Sequence, residues 1–182
     1  MSVMHVELST EQSDFVTECL QTRRFETPDH VIAAALDLLR THLDDDAGKQ
    51  AKLERKITQA LDELSNDRIA PLDVELLISQ HRQRPVREDM PRAENRVQAA
   101  ASAVDDINLI WTTFARENPD AADNQVRKLA DRCRRVSTMP GMGRPRTDLG
   151  ERVQSVTAQR FIIYYLMQGL TLIVLRVQAA DE

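Results

Sequence analysis

The side chains that could carry acid–base chemistry are unevenly distributed along this chain of 182 residues. All four histidines, His5, His30, His42 and His81, lie in the N-terminal half, and the C-terminal half contains a single lysine, Lys128. General acid–base catalysis requires groups that gain and lose a proton near neutral pH, and histidine is the most common of them. We therefore predict no catalytic residues and expect that the protein is not an enzyme.

The cysteines give no sign of a metal site or a disulfide. Cys19 and Cys133 are far apart and have no metal-ligating neighbours at short spacing, so we interpret them as reduced thiols and predict neither a metal nor a cofactor. No apolar run approaches the roughly 20 residues of a membrane span. The N-terminus lacks a basic stretch followed by an apolar one. These features predict a cytoplasmic protein that does not contact a membrane.

Two arginines, Arg144 and Arg146, lie in the glycine-rich stretch Gly141-Met142-Gly143-Arg144-Pro145-Arg146, which is typical of a loop. Arginine in such a loop is suited to contacting a partner or a phosphate, because its guanidinium forms two parallel hydrogen bonds. Solvated charges on an exposed loop are the equally simple interpretation.

The charge differs between the two halves. Residues 1–84 contain 10 basic and 16 acidic residues, a net of −6, whereas residues 85–182 contain 14 and 13, a net of +1. An acidic and a slightly basic half are compatible with two units that attract each other. Chance variation between small domains explains the difference equally well.

The N-terminal region has the pattern strand–helix–helix. Met4, Val6 and Leu8 alternate with polar residues, which predicts a strand over residues 3–8. A capping box at Ser9 begins a helix. Thr27 caps a second helix, which we expect to end at Asp44–Gly48. A lone strand leaves its backbone unpaired, so we predict a homodimer in which two N-terminal strands pair.

This pattern resembles the ribbon-helix-helix domain, and residues 24–39 resemble the stretch around the second helix of ParD antitoxins. The resemblance implies a domain over residues 1–48 that dimerises and contacts operator DNA. The strand residues Val3, His5 and Glu7 would enter the major groove, and the helix N-terminus at Thr27 would meet a phosphate. Residues 1–46 carry a net charge of −7, which does not favour binding to DNA.

Residues 49–80 contain an amphipathic helix over Lys49–Leu64 and a second short helix beginning at Pro71. Such helices pack either on the N-terminal unit or in the groove of a partner. We favour the partner, since ParD antitoxins use this region to wrap their toxin, within the chain or on a dimer mate. The predicted toxin–antitoxin interface residues are Leu53, Ile57, Leu61, Leu64, Leu72, Leu76 and Leu77. Residues 81–95 are predicted to be a linker.

The C-terminal half has the pattern of an α+β unit. A strand at Val97–Ala101 precedes two amphipathic helices that are separated by Asn118-Pro119-Asp120. Three strand candidates follow, at residues 153–157, 160–166 and 171–177, and Gly169 makes the last pair a hairpin. This order predicts an antiparallel sheet with an α-hairpin on one face.

Over nearly all of residues 96–177 the sequence resembles ParE toxins of the RelE/ParE superfamily, which predicts a ParE-like domain over residues 96–182. The motifs are Asn118-Pro119-Asp120-Ala121-Ala122, the stretch from Met139 to Leu149, Ile163-Tyr164-Tyr165 and Leu175-Arg176-Val177. The resemblance implies a toxin that binds DNA gyrase, with Arg144, Arg146, Gln154 and Arg176 as target contacts. ParE-like chains usually carry arginine where Gln154 stands, so we predict an attenuated toxin. The mRNA-cleaving RelE branch is disfavoured, because the toxin half has no suitable acid–base groups.

Together these features predict a fused type II toxin–antitoxin protein of α+β class, with an N-terminal ribbon-helix-helix, toxin-wrapping helices and a RelE/ParE-like domain. The alternative is a DNA-binding autorepressor that keeps an inactive toxin domain as a structural appendage.

Overall fold

The computed structural model describes residues 7–22, 24–83 and 97–180. The chain divides into two compact units, Met1–Lys52 and Leu53–Glu182. The described residues form helices α1 (Thr10–Gln21), α2 (Pro28–Ser65), α3 (Val74–Arg82), α4 (Ala101–Ala115) and α5 (Pro119–Thr138), with a 3₁₀ turn at Pro140–Met142. The strands are β1 (Ile69–Pro71), β2 (Val97–Ala100), β3 (Arg144–Pro145), β4 (Gln154–Ala158), β5 (Phe161–Gln168) and β6 (Thr171–Ala179).

In the first unit the predicted helix starts are confirmed. Ser9 Oγ accepts from the Gln12 backbone N–H and the Gln12 side chain accepts from the Ser9 N–H, which completes a capping box. Thr27 Oγ1 accepts from the backbone N–H of His30 at 3.3 Å and so caps α2. The predicted strand at residues 3–8 lies mostly outside the described residues. Glu7 and Leu8, its described end, are not in a strand.

The second helix is longer than predicted. Helix α2 continues through Asp44–Gly48 as one element of 38 residues, so the end expected there is wrong. A single glycine inside a helix costs only about 1 kcal/mol relative to alanine. The apolar positions resume at Leu53 and Ile57, where burial stabilises the helix far more than Gly48 weakens it.

The next element also differs from the prediction. A helix was expected from Pro71, but Ile69–Pro71 forms strand β1, and α3 begins at Val74 with Asp73 as its N-cap. Asp73 Oδ1 accepts from the Leu76 N–H at 2.9 Å, a cap that Pro71 cannot provide. Helix α3 then continues through His81 and Arg82, which were expected in the linker.

The six strands form one sheet in the order β1-β2-β6-β5-β4-β3. Strands β3 to β6 are antiparallel neighbours, and the β5–β6 hairpin turns at Gly169, whose φ of +62° favours glycine. Strand β2 pairs with β6 in parallel. The sheet is therefore mixed, and the expectation of a purely antiparallel sheet is wrong. The chain continues from β2 through α4 and α5 to β3, which lies at the opposite edge of the sheet, and the strand pattern alone did not specify this order.

Each face of the sheet is covered by helices. Along β5, Ile163 and Tyr165 belong to one buried cluster with α3, α4 and α5, while Tyr164 and Leu166 belong to a second cluster with the part of α2 after Leu53. Side chains that alternate along a strand point to opposite faces. The second unit is thus an α+β structure, as predicted, but with three layers, because the end of α2 covers the face opposite the α-hairpin.

Among the described residues, no helix is both long enough and apolar enough to cross a membrane.

Candidate functional site

The candidate site lies where residues 53–83, here called the covering segment, contact residues 97–180, here called the C-terminal domain. The covering segment contains the end of α2, strand β1 and helix α3. Strand β1 extends the sheet at its edge, with Ile69 opposite Ala100 and Pro71 opposite Gln98. Hydrogen bonds from the Leu72 N–H to the Val97 carbonyl (3.1 Å) and from the Ala101 N–H to the Arg68 carbonyl (3.2 Å) continue the pairing at both ends. The edge of β2 is therefore closed by the covering segment.

The end of α2 covers one face of the sheet. Leu53, Ile57 and Ala60 repeat at helical spacing and share a buried cluster with Tyr164, Ile173 and other sheet residues. Ile57 and Ala60 are fully buried. Burying an aliphatic side chain of this size stabilises a fold by roughly 1.5–3 kcal/mol, so this stripe is a main source of the attachment.

A buried glutamate of α2 caps helix α4. The N-cap residue of α4 is Ala100, which has no side-chain acceptor. Glu63 Oε2 instead accepts the Ser102 N–H at 2.9 Å, and the Gln59 side chain donates to Glu63 Oε1 at 3.0 Å. Burial raises the pKa of Glu63, but the hydrogen bond from the Ser102 backbone outweighs it with the help of Gln59 and Arg68, and the pKa is lowered overall. Glu63 therefore remains charged and satisfies a helix terminus of the C-terminal domain.

Helix α3 packs on the α4–α5 hairpin. Leu77 and Ile78 are each 6% exposed and share a cluster with Ile107, Trp111 and Val126. At the rim of this contact, Glu75 accepts two hydrogen bonds from the Arg127 guanidinium, at 2.8 and 3.1 Å, and this contact raises the pKa of Arg127. Such bidentate pairing fixes the relative orientation of the two side chains and also strengthens their interaction.

Polar side chains at the end of α3 form hydrogen bonds and ion pairs with the same hairpin. Arg82 donates to Asp123 at 2.8 Å and to Asp120 at 2.5 Å, and Asp123 also accepts from Trp111 Nε1 at 2.8 Å. The His81 ring stacks on Trp111 with 4.2 Å between ring centroids, and His81 Nε2 lies 3.0 Å from Asn108 Oδ1. Asp123 is buried, so these donors compensate for its desolvation.

The structure brings most of the predicted interface residues together. Leu53, Ile57, Leu72 and Leu77 are buried in the two clusters, and Leu61 and Leu64 pack at the edge of one of them. Leu76 is 44% exposed and does not belong to either cluster.

Sequence reasoning missed the polar residues of this site: Glu63, Glu75, His81 and Arg82. Their partners are 27 to 52 residues away along the chain, and no local pattern links them. One signal was available for Glu63, since Ala99-Ala100-Ala101 places no capping side chain before α4.

The predicted target contacts have different environments. Arg144 is exposed on β3. Arg146 binds Asp148 at 2.7 Å, which raises the pKa of Arg146, and its guanidinium lies over the Tyr164 ring. Gln154 Oε1 accepts from Tyr165 Oη at 2.8 Å.

Arg176 differs from the other three because it is buried. Its guanidinium donates two hydrogen bonds to the Asp106 carboxylate, at 2.6 and 2.8 Å, and Asp106 also accepts a hydrogen bond from the Val177 N–H. The pair lies beside an irregularity in the β5–β6 register, after Tyr164. Arg176 therefore connects β6 to α4, and its buried guanidinium is poorly placed to contact a target.

The residues predicted to bind DNA are only partly described. Val3 and His5 lie outside the described residues, Glu7 is exposed, and the hydroxyl of Thr27 is used as the cap of α2. Within the described ranges no cluster of histidine, cysteine or acidic side chains has the geometry of a metal site. Cys133 is buried, which raises the pKa of its thiol to about 12.

Comparison with known proteins finds similarity in the C-terminal half of the chain. Residues 97–182 match the family model described as the ParE toxin of the type II toxin–antitoxin system parDE. No curated protein matches the chain. A solved chain titled "Chromosomal ParDE TA system from P. aeruginosa" is 16% identical, with a TM-score of 0.40, over 46% of this chain and 92% of that one. On the family match, residues 97–182 form a ParE toxin family domain of a type II toxin–antitoxin system.

Proposed function

We propose that the chain is a fused type II toxin–antitoxin protein, in which the covering segment is the antitoxin element and masks the ParE domain. The observation that carries the proposal is the extent of the contact. Residues 53–83 complete the sheet edge, fill one face of the sheet and dock on the α-hairpin. Strand addition and helix-in-groove packing are two recurring ways in which one protein segment recognises another.

The polar contacts support a recognition role for this segment. Apolar burial alone would be satisfied by many sequences, whereas Glu75 with Arg127 and Arg82 with Asp123 require specific partners at specific positions. Charged pairs at a contact contribute specificity more than raw affinity.

We propose DNA gyrase as the target of the unmasked domain, following the ParE resemblance, and attenuated toxicity as the state of this chain. The exposed Arg144 is available for such a contact. Gln154 accepts a hydrogen bond from Tyr165 and lacks the fixed charge of the arginine common at this position in ParE-like chains.

A charge-swap experiment on the full chain tests the masking. Glu75→Arg places two cations together at the α3–α5 contact, and Glu75→Arg with Arg127→Glu restores the attraction. If the covering segment masks a toxin, inducing Glu75→Arg in a bacterial host slows growth and triggers a DNA-damage response. Cells that express the wild-type chain or the double variant grow normally.

A stronger disruption has a matched control on the same helix. Leu77 is 6% exposed and Leu76 is 44% exposed, so Leu77→Asp should unmask the domain and Leu76→Asp should not. Normal growth with soluble Leu77→Asp and Glu75→Arg protein, even after Gln154→Arg restores the arginine usual in ParE-like chains, would contradict a masked toxin. That result would favour the alternative, an autorepressor with an inactive toxin domain.

For the first unit we propose a homodimer. Its described residues expose apolar side chains that a monomer rarely leaves in water, among them Phe15 at 63% and Leu39 at 52%. Light scattering should give twice the chain mass of 20.7 kDa. Leu39→Asp should weaken the dimer and Thr41→Asp, on the same helix, should not. A monomer at micromolar concentration would contradict the proposal.

Operator binding by this dimer is the remaining part of the proposal, through Val3, His5 and Glu7 with the α2 N-terminus at Thr27. The net charge of −7 over residues 1–46, whose basic residues are three arginines, predicts weak binding with a shallow dependence on salt. A mobility-shift assay with DNA upstream of the gene measures it. If no mobility shift is seen at low salt, both the proposed operator binding and the autorepressor alternative are contradicted.

A further inference from the structure

A basic cleft lies on the C-terminal domain, apart from the covering segment. It has a volume of about 390 Å³ and lies between α5 and the β4–β5 turn. Small-molecule sites commonly have volumes of roughly 300–1,000 Å³. Its polar lining comes from the side chains Lys128, Asp131, Arg132, Arg135, Thr157 and Gln159.

The three cations of this cleft share one face of α5, because positions i, i+4 and i+7 are aligned on a helix. Among the described residues, neither Lys128 nor Arg132 nor Arg135 forms an ion pair. The neighbouring cations behave differently, since Arg127 binds Glu75 and Arg134 binds Asp131. The pairing with Arg134 also compensates much of the Asp131 charge, so the cleft keeps an excess of positive charge.

One donor in the cleft is buried and unsatisfied. The Nε atom of Arg132 is inaccessible to solvent and has no hydrogen-bond partner among the described residues. Buried donors are nearly always paired in folded proteins, so the unpaired Nε marks a guanidinium whose charge is not satisfied by the described residues. A chain with a net charge of −5 has many carboxylates, yet none of those described is placed on this guanidinium.

We propose that this cleft binds a phosphate group. Guanidinium groups match the geometry of phosphate oxygens, and Lys128 adds a compact point charge. The Thr157 hydroxyl and the Gln159 amide provide neutral donors at the opposite wall. The inference is independent of toxin masking, because no lining residue belongs to the covering segment.

The test uses the full chain and two probes that distinguish the source of the phosphate. Pyrophosphate represents a small phosphorylated ligand, and a ten-residue oligothymidylate represents a nucleic-acid backbone. Calorimetry should show saturable binding of at least one probe. Losing one charged contact should weaken it roughly tenfold, so Arg132→Gln and the more exposed Arg135→Gln should each have this effect.

Arg116→Gln is the matched control, because Arg116 is an exposed arginine outside the cleft. Binding of pyrophosphate identifies a small-ligand site, and binding of the oligonucleotide alone assigns the site to a nucleic-acid backbone. The proposal is overturned if neither probe saturates the protein. It is also overturned if Arg135→Gln and Arg116→Gln weaken binding equally, since that result would indicate nonspecific attraction to surface charge.

Discussion

Replacing Glu63 tests whether the end of α2 stabilises the ParE domain by capping α4. Glu63 is 5% exposed, and its carboxylate is the side-chain acceptor found for the Ser102 N–H. A hydrogen bond to a charged group contributes about 1.5–3 kcal/mol, and an anion at a helix N-terminus contributes roughly 0.3–1 kcal/mol. Because these contributions overlap, we expect Glu63→Ala to lower the free energy of unfolding by about 2 kcal/mol.

The pH dependence separates the charge from the packing. Glu63 has a pKa below the 4.5 of an unperturbed glutamate. A lowered pKa contributes stability that is complete above the unfolded-state value and is lost as the pH falls through the folded-state value. The stability difference between the wild type and Glu63→Gln should therefore narrow as the pH decreases from 7 to about 3.

Urea unfolding followed by tryptophan fluorescence is the appropriate assay, since Trp111 is the single tryptophan and lies in α4. Asp62→Ala is the matched control, because Asp62 is the exposed neighbour of Glu63 on the same helix. If Glu63→Ala and Asp62→Ala agree within about 0.5 kcal/mol at pH 7, the typical range of surface substitutions, the capping argument is refuted.

Three further predictions follow from other parts of the second unit. Ile57→Ala should lower the free energy of unfolding by about 2–5 kcal/mol in urea, since Ile57 is fully buried and its removal leaves a cavity. Arg176→Ala should lower it by roughly 3 kcal/mol, because it leaves the Asp106 carboxylate buried without its charge partner; thermal unfolding would measure the loss. Cys133 should resist iodoacetamide at pH 8 while Cys19 reacts, since burial keeps the Cys133 thiol protonated. Mass spectrometry of the labelled chain shows which cysteine reacts first, and labelling of Cys133 before Cys19 would contradict the prediction.

The covering segment does more than occlude a surface of the ParE domain. It supplies an edge strand, the cap of α4 and the apolar side chains that cover one face of the sheet. Each contribution replaces something that the domain's own sequence lacks, such as a capping residue before Ala101. Since these contributions are structural, the domain without the covering segment is expected to be less stable than the intact chain.

Local signals determined much of the secondary structure. The capping pairs at Ser9 and Thr27 located two helix starts, because a cap depends on residues three positions apart. The apolar spacing along α5, the apolar runs of β5 and β6 and the turn at Gly169 identified elements of the C-terminal domain. The apolar stripe of residues 53–64 likewise identified a surface that needs to be buried.

Tertiary structure decided the features that depend on distant residues. A glycine at position 48 suggested a helix end, but packing of the residues beyond it extends α2 to Ser65. Ile69–Pro71 form a strand because the edge of β2 is available for pairing, and β2 pairs in parallel with the distant strand β6, with Val97 opposite Leu172. Glu63, Glu75 and Arg82 acquire their roles from partners tens of residues away. The sequence by itself thus determined which segments carry apolar faces and where most helices begin, since those properties are encoded within a few residues. Only the tertiary structure decided which charged side chains form ion pairs, because ion pairing depends on distances between residues that no local sequence pattern contains.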